Sequence, residues 1–167
     1  MTRKLMFMIN PPELACFFQQ LEAAEAGDGA AACRLGDCYR TGRPLPANPR
    51  KAYTWYLRGA WAGDGDAMNN LGACYHNGYG CEKSMPSAVH WYHRAVRAGA
   101  VEALDNLGRC FKEGNGVPQD WYRAADLFRG AHAKGHPKAV ERLAEMGLKV
   151  EPEERAGYEW EIQPEGD

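Results

Sequence analysis

Residues 67–80 read Ala67-Met68-Asn69-Asn70-Leu71-Gly72-Ala73-Cys74-Tyr75-His76-Asn77-Gly78-Tyr79-Gly80, and this stretch decides the fold because it returns. One step of 36 residues earlier stands Ala31-Ala32-Cys33-Arg34-Leu35-Gly36-Asp37-Cys38-Tyr39-Arg40-Thr41-Gly42. One step of 36 later stands Ala103-Leu104-Asp105-Asn106-Leu107-Gly108-Arg109-Cys110-Phe111-Lys112-Glu113-Gly114. Beyond these stretches, Gly27, Gly63, Gly99 and Gly135 keep the same step, as do Leu35, Leu71, Leu107 and Leu143. Ala52, Ala88 and Ala124 follow it too, with Tyr56, Tyr92 and Phe128. A fixed period of this size marks a solenoid, in which each unit buries its apolar face only against its neighbours. Such folds offer an extended groove and seldom a closed catalytic pocket.

One unit can be read physically. After Gly63, Asp64 or Asp66 is placed to cap a helix start. Ala67, Leu71 and Tyr75 then recur at i, i+4 and i+8, one apolar stripe of a helix. Gly72, lacking a Cβ, allows a partner helix to approach closely, and Gly78 is placed to end the helix in the left-handed conformation. Asn48, Ser84 and Asp120 share one repeat position and are all good N-caps, so they fix the start of a second helix. Pro49 suits its first position. Ala88, Trp91, Tyr92 and Ala95 form that helix's buried stripe. Each unit is therefore expected to be an αα-hairpin. The architecture expected is an all-α, right-handed superhelical solenoid of 36-residue helix-turn-helix repeats.

The step also reaches past the complete units. Residues 12–27 align with a second helix and residues 136–147 with a first helix. The expected organisation is an N-terminal extension (1–11) and a solenoid (12–147). The solenoid has repeats at 28–63, 64–99 and 100–135 with a half repeat at each end. An acidic tail (148–167) follows. Gln19 and Gln20 replace Trp55 and Tyr56 in the first half repeat, as suits a terminal unit with one face toward solvent.

At 167 residues and a net charge of −2, the chain has no general attraction to nucleic acid or anionic membrane. No run approaches the roughly 18 apolar residues of a transmembrane helix. Leu5 to Ile9 falls short of the about 7–15 apolar residues of a secretory leader. The compartment expected is the cytoplasm. Cys38, Cys74 and Cys110 share a repeat position, about 10 Å apart in stacked helices, too far for disulfides. They read as small apolar residues filling a tight helix contact, as does Cys16, which aligns with Ala52. Cys33 and Cys81 are the expected exposed thiols. No CxxC occurs, so neither a structural zinc site nor another metal or cofactor is implied.

The units resemble the Sel1-like repeat, a relative of the tetratricopeptide repeat. The pattern Ala-x3-Leu-Gly-x2-Tyr-x2-Gly is met at Ala31 to Gly42, Ala67 to Gly78 and, with Phe111 for Tyr, Ala103 to Gly114. The later Lys-Ala-x2-Trp-Tyr is met by Lys51-Ala52-Tyr53-Thr54-Trp55-Tyr56. Ser87-Ala88-Val89-His90-Trp91-Tyr92 follows it in unit two. Unit three departs with Leu127-Phe128 for Trp-Tyr. Unit one departs with Arg43-Pro44 where Gly-x-Gly is expected, which implies a different connector. The resemblance implies a protein-binding scaffold or adaptor. The family also supplies signalling adaptors, envelope scaffolds and immunity proteins. The disulfides of its cysteine-rich secreted branch are not implied, because Cys33 lacks a partner.

In solenoids of this type the first helices line the concave face. The side chains flanking the buried stripe there are Cys33, Asp37, Arg40 and Thr41 in unit one, and Asn69, Ala73, His76 and Asn77 in unit two. Unit three adds Asp105, Arg109, Lys112 and Glu113, and the last half repeat Glu141 and Glu145. This polar set of mixed sign suits an extended peptide or a partner's loop. His90 and His93, three apart, lack a third metal ligand. Trp55 and Trp91 read as core; Trp61 and Trp121, if exposed, would anchor a partner. No nucleophile, paired carboxylates or phosphate loop appears, so no enzymatic activity is expected. Tyr158, Trp160 and Ile162 alternate as in a strand within the acidic tail, and Leu5 to Ile9 reads as a cap on the first helix. The function expected is a non-enzymatic scaffold gripping a partner protein in its concave groove. Two alternatives are an immunity protein neutralising a toxic effector and a subunit that self-associates through its terminal helices.

Overall fold

A computed structural model describes residues 11–149. The N-terminal extension, except Pro11, and all but the first two residues of the acidic tail lie outside the described residues. Eight helices occur among the described residues: α1 (Pro11–Glu25), α2 (Gly29–Thr41), α3 (Pro49–Trp61), α4 (Gly65–Asn77), α5 (Met85–Arg97), α6 (Val101–Glu113), α7 (Trp121–Ala133) and α8 (Ala139–Glu145). No strand is present among the described residues. Helices pack in sequence order, each on the one before and the one after, to form an α-solenoid. First helices also touch one another across units, α2 with α4 and α4 with α6.

The repeat is visible in its caps. Asp28, Asn48, Asp64, Ser84 and Asp120 each accept a hydrogen bond from the backbone N–H three residues on. This satisfies one of the orphan donors at a helix start. Asp64 is thus the cap, and Asp66 lies in the first turn. Position 100 breaks the series: Ala100 has the same extended backbone but no side-chain cap. First helices α2, α4 and α6 each end on a glycine in the left-handed region, at φ 77° for Gly42, 70° for Gly78 and 71° for Gly114. Their N–H groups donate to the carbonyls of Cys38, Cys74 and Cys110. The connector then closes by one recurring bond. The N–H of Asn48, Ser84 and Asp120 reaches the carbonyl of Tyr39, Tyr75 and Phe111 at 2.8, 2.9 and 2.9 Å. Unit one keeps this closure although its connector contains a cis Arg43–Pro44 peptide where the other units have Gly-x-Gly.

Inside each hairpin the second helix presses an aromatic ring on a glycine of the first. A Cβ on Gly36, Gly72 or Gly108 would lie 2.4, 2.7 or 2.6 Å from the rings of Tyr56, Tyr92 and Phe128. That explains glycine in mid-helix despite its propensity cost of about 1 kcal/mol. Leu35, Leu71, Leu107 and Leu143 are all at most 1% exposed, as the period requires. Trp91 is buried while Trp55 is half-buried under the Arg58 guanidinium, 4.8 Å from the ring centroid.

Two cysteines differ from their sequence reading. Cys16 is exposed, not tightly packed. Its counterpart Ala52 is covered by α2, but α1 has no first helix before it among the described residues. Cys33 is buried, not exposed, because its face of α2 turns toward α4. Burial pushes its thiol pKa up to about 12, with Asp37 adding to the shift. All six cysteines are unpaired.

Candidate binding face on the first helices

The first-helix face is built on a ladder of side-chain bonds between units. Asn70 Nδ2 donates to Cys33 Sγ at 3.5 Å, Asn106 Nδ2 to Asn69 Oδ1 at 2.9 Å, and Arg142 Nε to Asp105 Oδ1 at 3.0 Å. Each link spans 37 residues, one repeat plus one. Acceptors 33, 69 and 105 share one repeat position, and donors 70, 106 and 142 share the next. The chemistry changes from rung to rung while the geometry holds. At the N-terminal end Arg34, in the donor position, turns to Gln20 of α1. At the C-terminal end Glu141, in the acceptor position, is exposed.

Of the residues placed on this face by sequence, Asp105 is 7% exposed and held by Arg142, so it is a strut between α6 and α8. Asn69 is half-buried in the ladder. In unit one, Asp37 accepts from Arg40 Nη2 and from the Tyr56 hydroxyl, both at 2.9 Å. Burial and Asp37 together push the Tyr56 phenol well above its ordinary pKa. The exposed Thr41 hydroxyl turns back onto the Asp37 carbonyl. In unit three, Lys112 bridges to Glu145 of α8 at 2.6 Å and holds that carboxyl below its usual range. Arg109 lies 4.0 Å from Glu113, which also accepts from Asn115. His76 of unit two is half-buried, and Asn77 beside it is exposed with its amide on the Ala73 carbonyl.

The arrangement brings Asp37 and Arg40 together and ties Lys112 to Glu145, while His76 sits in the field of Arg109, Lys83 and Glu113. The sequence reading missed Asn70, Asn106 and Arg142. A search for polar pairs 37 apart would have found them. No group of three or more His, Cys, Asp or Glu side chains placed to hold a metal ion occurs among the described residues. None of the described helices is long and apolar enough to cross a membrane. An open recess of about 630 Å³ lies between the first two connectors, lined by Asn48, Arg50, Gly80 and Cys81 among others.

The fold and its polar face define a helical-repeat solenoid of short αα-hairpins. The chain belongs to the Sel1 repeat family, whose model matches residues 29–64, 65–99 and 101–136. Proteins of this family generally serve as protein–protein interaction scaffolds and are typically non-catalytic. Among solved structures, a Sel1 repeat protein from Oxalobacter formigenes is similar at 33% identity and a TM-score of 0.69, covering 77% of this chain and 96% of that one. A protective antigen of uropathogenic Escherichia coli with an SLR fold is 31% identical, with a TM-score of 0.72. It covers 81% of this chain, which spans only 29% of that protein. Cysteine-rich protein B of Helicobacter pylori shares the fold at 21% identity and a TM-score of 0.59, covering 74% of this chain and 93% of that one. Comparison with curated proteins gives no match.

Proposed function

We propose that this protein is a non-enzymatic scaffold that holds a partner protein against its first-helix face. The observation that carries the reading is the ladder from Cys33 to Arg142. It fixes the relative positions of α2, α4, α6 and α8 and so orders a strip of polar side chains before any partner arrives. A pre-ordered surface loses less side-chain entropy on binding, which favours recognition over a mobile one. The partner-facing groups are Arg40, Thr41, His76, Asn77, Arg109, Glu113 and Glu141, with Asp37, Asn69, Asp105 and Lys112 holding them in place. Their mixed charge suits a segment or loop carrying both signs. We place the protein in the cytoplasm; its six unpaired thiols suit a reducing compartment.

The test is affinity capture from host lysate with intact protein beside Asn77→Lys/Arg109→Glu. Reversing Lys112 is avoided, because it would set a carboxylate against Glu145 and disturb α8. A partner retained by the intact protein and lost by the variant supports the face. Equal retention moves the interface elsewhere on the molecule. Recovery of the protein alone favours self-association.

A further inference from the structure

The net charge of −2 hides a segregation of charge between the two helix sets. Within their spans the second helices α3, α5 and α7 carry seven Arg and Lys against one acid, Asp126, with the cap Asp120 at the start of α7, while the terminal α1 carries three acids and no cation. First helices α2, α4, α6 and α8 carry five against seven. Lys51, Arg58 and Arg94 are seated on rings, whereas Arg123, over the Phe111 ring, also bridges to the α7 cap Asp120 at 3.4 Å, and Arg129 bridges to Asp126. Arg58 lies over Trp55, and Arg94 lies between Trp91 at 4.5 Å and Trp61 at 5.3 Å. A π-face holds a guanidinium without cancelling its charge, so the outer face stays positive. It is also aromatic: Trp61 is 69% exposed, Trp121 47% and Tyr122 87%.

Residues 150–167 carry the complement. They hold seven acids (Glu151, Glu153, Glu154, Glu159, Glu161, Glu165, Asp167) against one cation, Arg155, with Tyr158 and Trp160 among them. We propose that this acidic C-terminal segment docks on the outer face of α5 and α7 and the adjoining end of α3, over Trp61, Arg94, Arg97, Trp121 and Arg123. Three observations carry it. The outer helices α3 and α5 carry cations and no acid within their spans, while the first helices carry mixed charge with a small acidic excess, so electrostatics favours the outer face. The exposed rings offer apolar contacts for Tyr158 and Trp160. The segment starts just beyond α8, and 18 residues at about 3.3–3.6 Å each reach roughly 60 Å, enough to pass α7 and meet α5. The docked segment would leave the first-helix face open, and an acidic partner would have to displace it to use the outer face.

The test is made on the full chain by following the tryptophan indole N–H signals in NMR spectra. Neutralising the segment with Glu151→Gln/Glu153→Gln/Glu154→Gln/Glu159→Gln/Glu161→Gln should move the Trp61, Trp91 and Trp121 signals. Amide signals of α2 and α4 should stay in place. Salt should move the intact chain's signals toward the same positions, since screening shortens from about 10 Å at 0.1 M to about 3 Å at 1 M. Arg97→Glu/Arg123→Glu should release the segment, and adding Glu153→Lys/Glu154→Lys to that variant should restore the intact pattern. Circular dichroism confirms that each variant is folded. Spectra of the neutralised chain that superimpose on the intact ones overturn the proposal. So do changes centred on the first helices, or changes that grow with protein concentration, which mean a second copy.

Discussion

Arg142 on α8 donates Nε–H to the carboxylate of Asp105 on α6 at 3.0 Å, with side chains only 20% and 10% exposed. This is the one charged rung of a ladder whose other rungs are neutral. Removing Asp105 leaves the half-buried Arg142 guanidinium with only its longer 3.3 Å bond to Glu145 on its own helix. Asp105→Ala should therefore destabilise the fold by about 1–3 kcal/mol. The double variant Asp105→Asn/Arg142→Asn recreates the Asn69–Asn106 rung one unit along and should recover most of the loss. Urea titrations of the parent and both variants check this; a double variant as weak as Asp105→Ala would sink the idea of interchangeable rungs.

The repeat was legible because burial repeats. Leu71, Gly72 and Ala88 face the same surroundings in every unit, so selection for one volume leaves one residue type at a step of 36. The ladder was not legible in that way, because Cys–Asn, Asn–Asn and Asp–Arg share no identity, only a spacing of 37. The sequence placed Cys33, Asn69 and Asp105 on the correct helices but not the residues they bond. Cys16 and Cys33 depart from the sequence expectation because exposure depends on which neighbouring helix covers a position. That neighbour is lacking beside α1 among the described residues and close beside α2. The charged outer face was concealed by a net charge that sums opposite surfaces.

Gly72 sits under the Tyr92 ring, where a Cβ would meet Cδ1 and Cε1 at 2.7 Å. Gly72→Ala improves helix propensity by about 1 kcal/mol, but the clash with a fully packed ring costs more, about 1–3 kcal/mol for overpacking. The net expectation is destabilisation, relieved by Tyr92→Leu in the same chain. Thermal melts of the single and double variants decide it; a more stable Gly72→Ala would show that the ring yields freely. The chain itself carries Ala144 at this position in α8, where no second helix follows among the described residues.

Leu71 is wholly buried in the core shared by the first two units. Leu71→Ala should cost about 2–5 kcal/mol from lost transfer energy and the cavity left behind. Chemical denaturation measures it. A midpoint unchanged from the parent would contradict the packing described for α4.

Ala100 is the one position in the Asp28, Asp64 series before a full-length first helix that lacks a side-chain cap. Ala100→Asp should supply the missing acceptor and stabilise the fold by about 0.5–2 kcal/mol. The space exists, because Asp64 already fits the equivalent place one unit earlier. Its Cβ lies 3.0 Å from where a Cβ on Gly29 would stand, and the Ala100 Cβ lies 3.3 Å from the same point on Gly65. The neighbouring Glu102 and Asp66 oppose the new charge, so the gain should be larger at high salt. A variant with a lower melting temperature at every salt concentration would refute the cap assignment.

His76 has its pKa lowered from 6.5, first by burial and then by Arg109 and Lys83, with Glu113 opposing. The folded form therefore holds its proton less tightly than the unfolded chain does. Between the lowered value and 6.5 the unfolded chain binds more protons, so stability rises with pH through that window. The contribution of neutral His76 is complete above 6.5 and is lost as pH falls through the lowered value. His76→Gln should flatten this part of the pH–stability curve. Arg109→Gln should shrink it without abolishing it, because burial, the larger cause, remains. Denaturation midpoints at several pH values from acid to neutral test both. Parallel curves for the parent and His76→Gln would mean that another group carries the dependence.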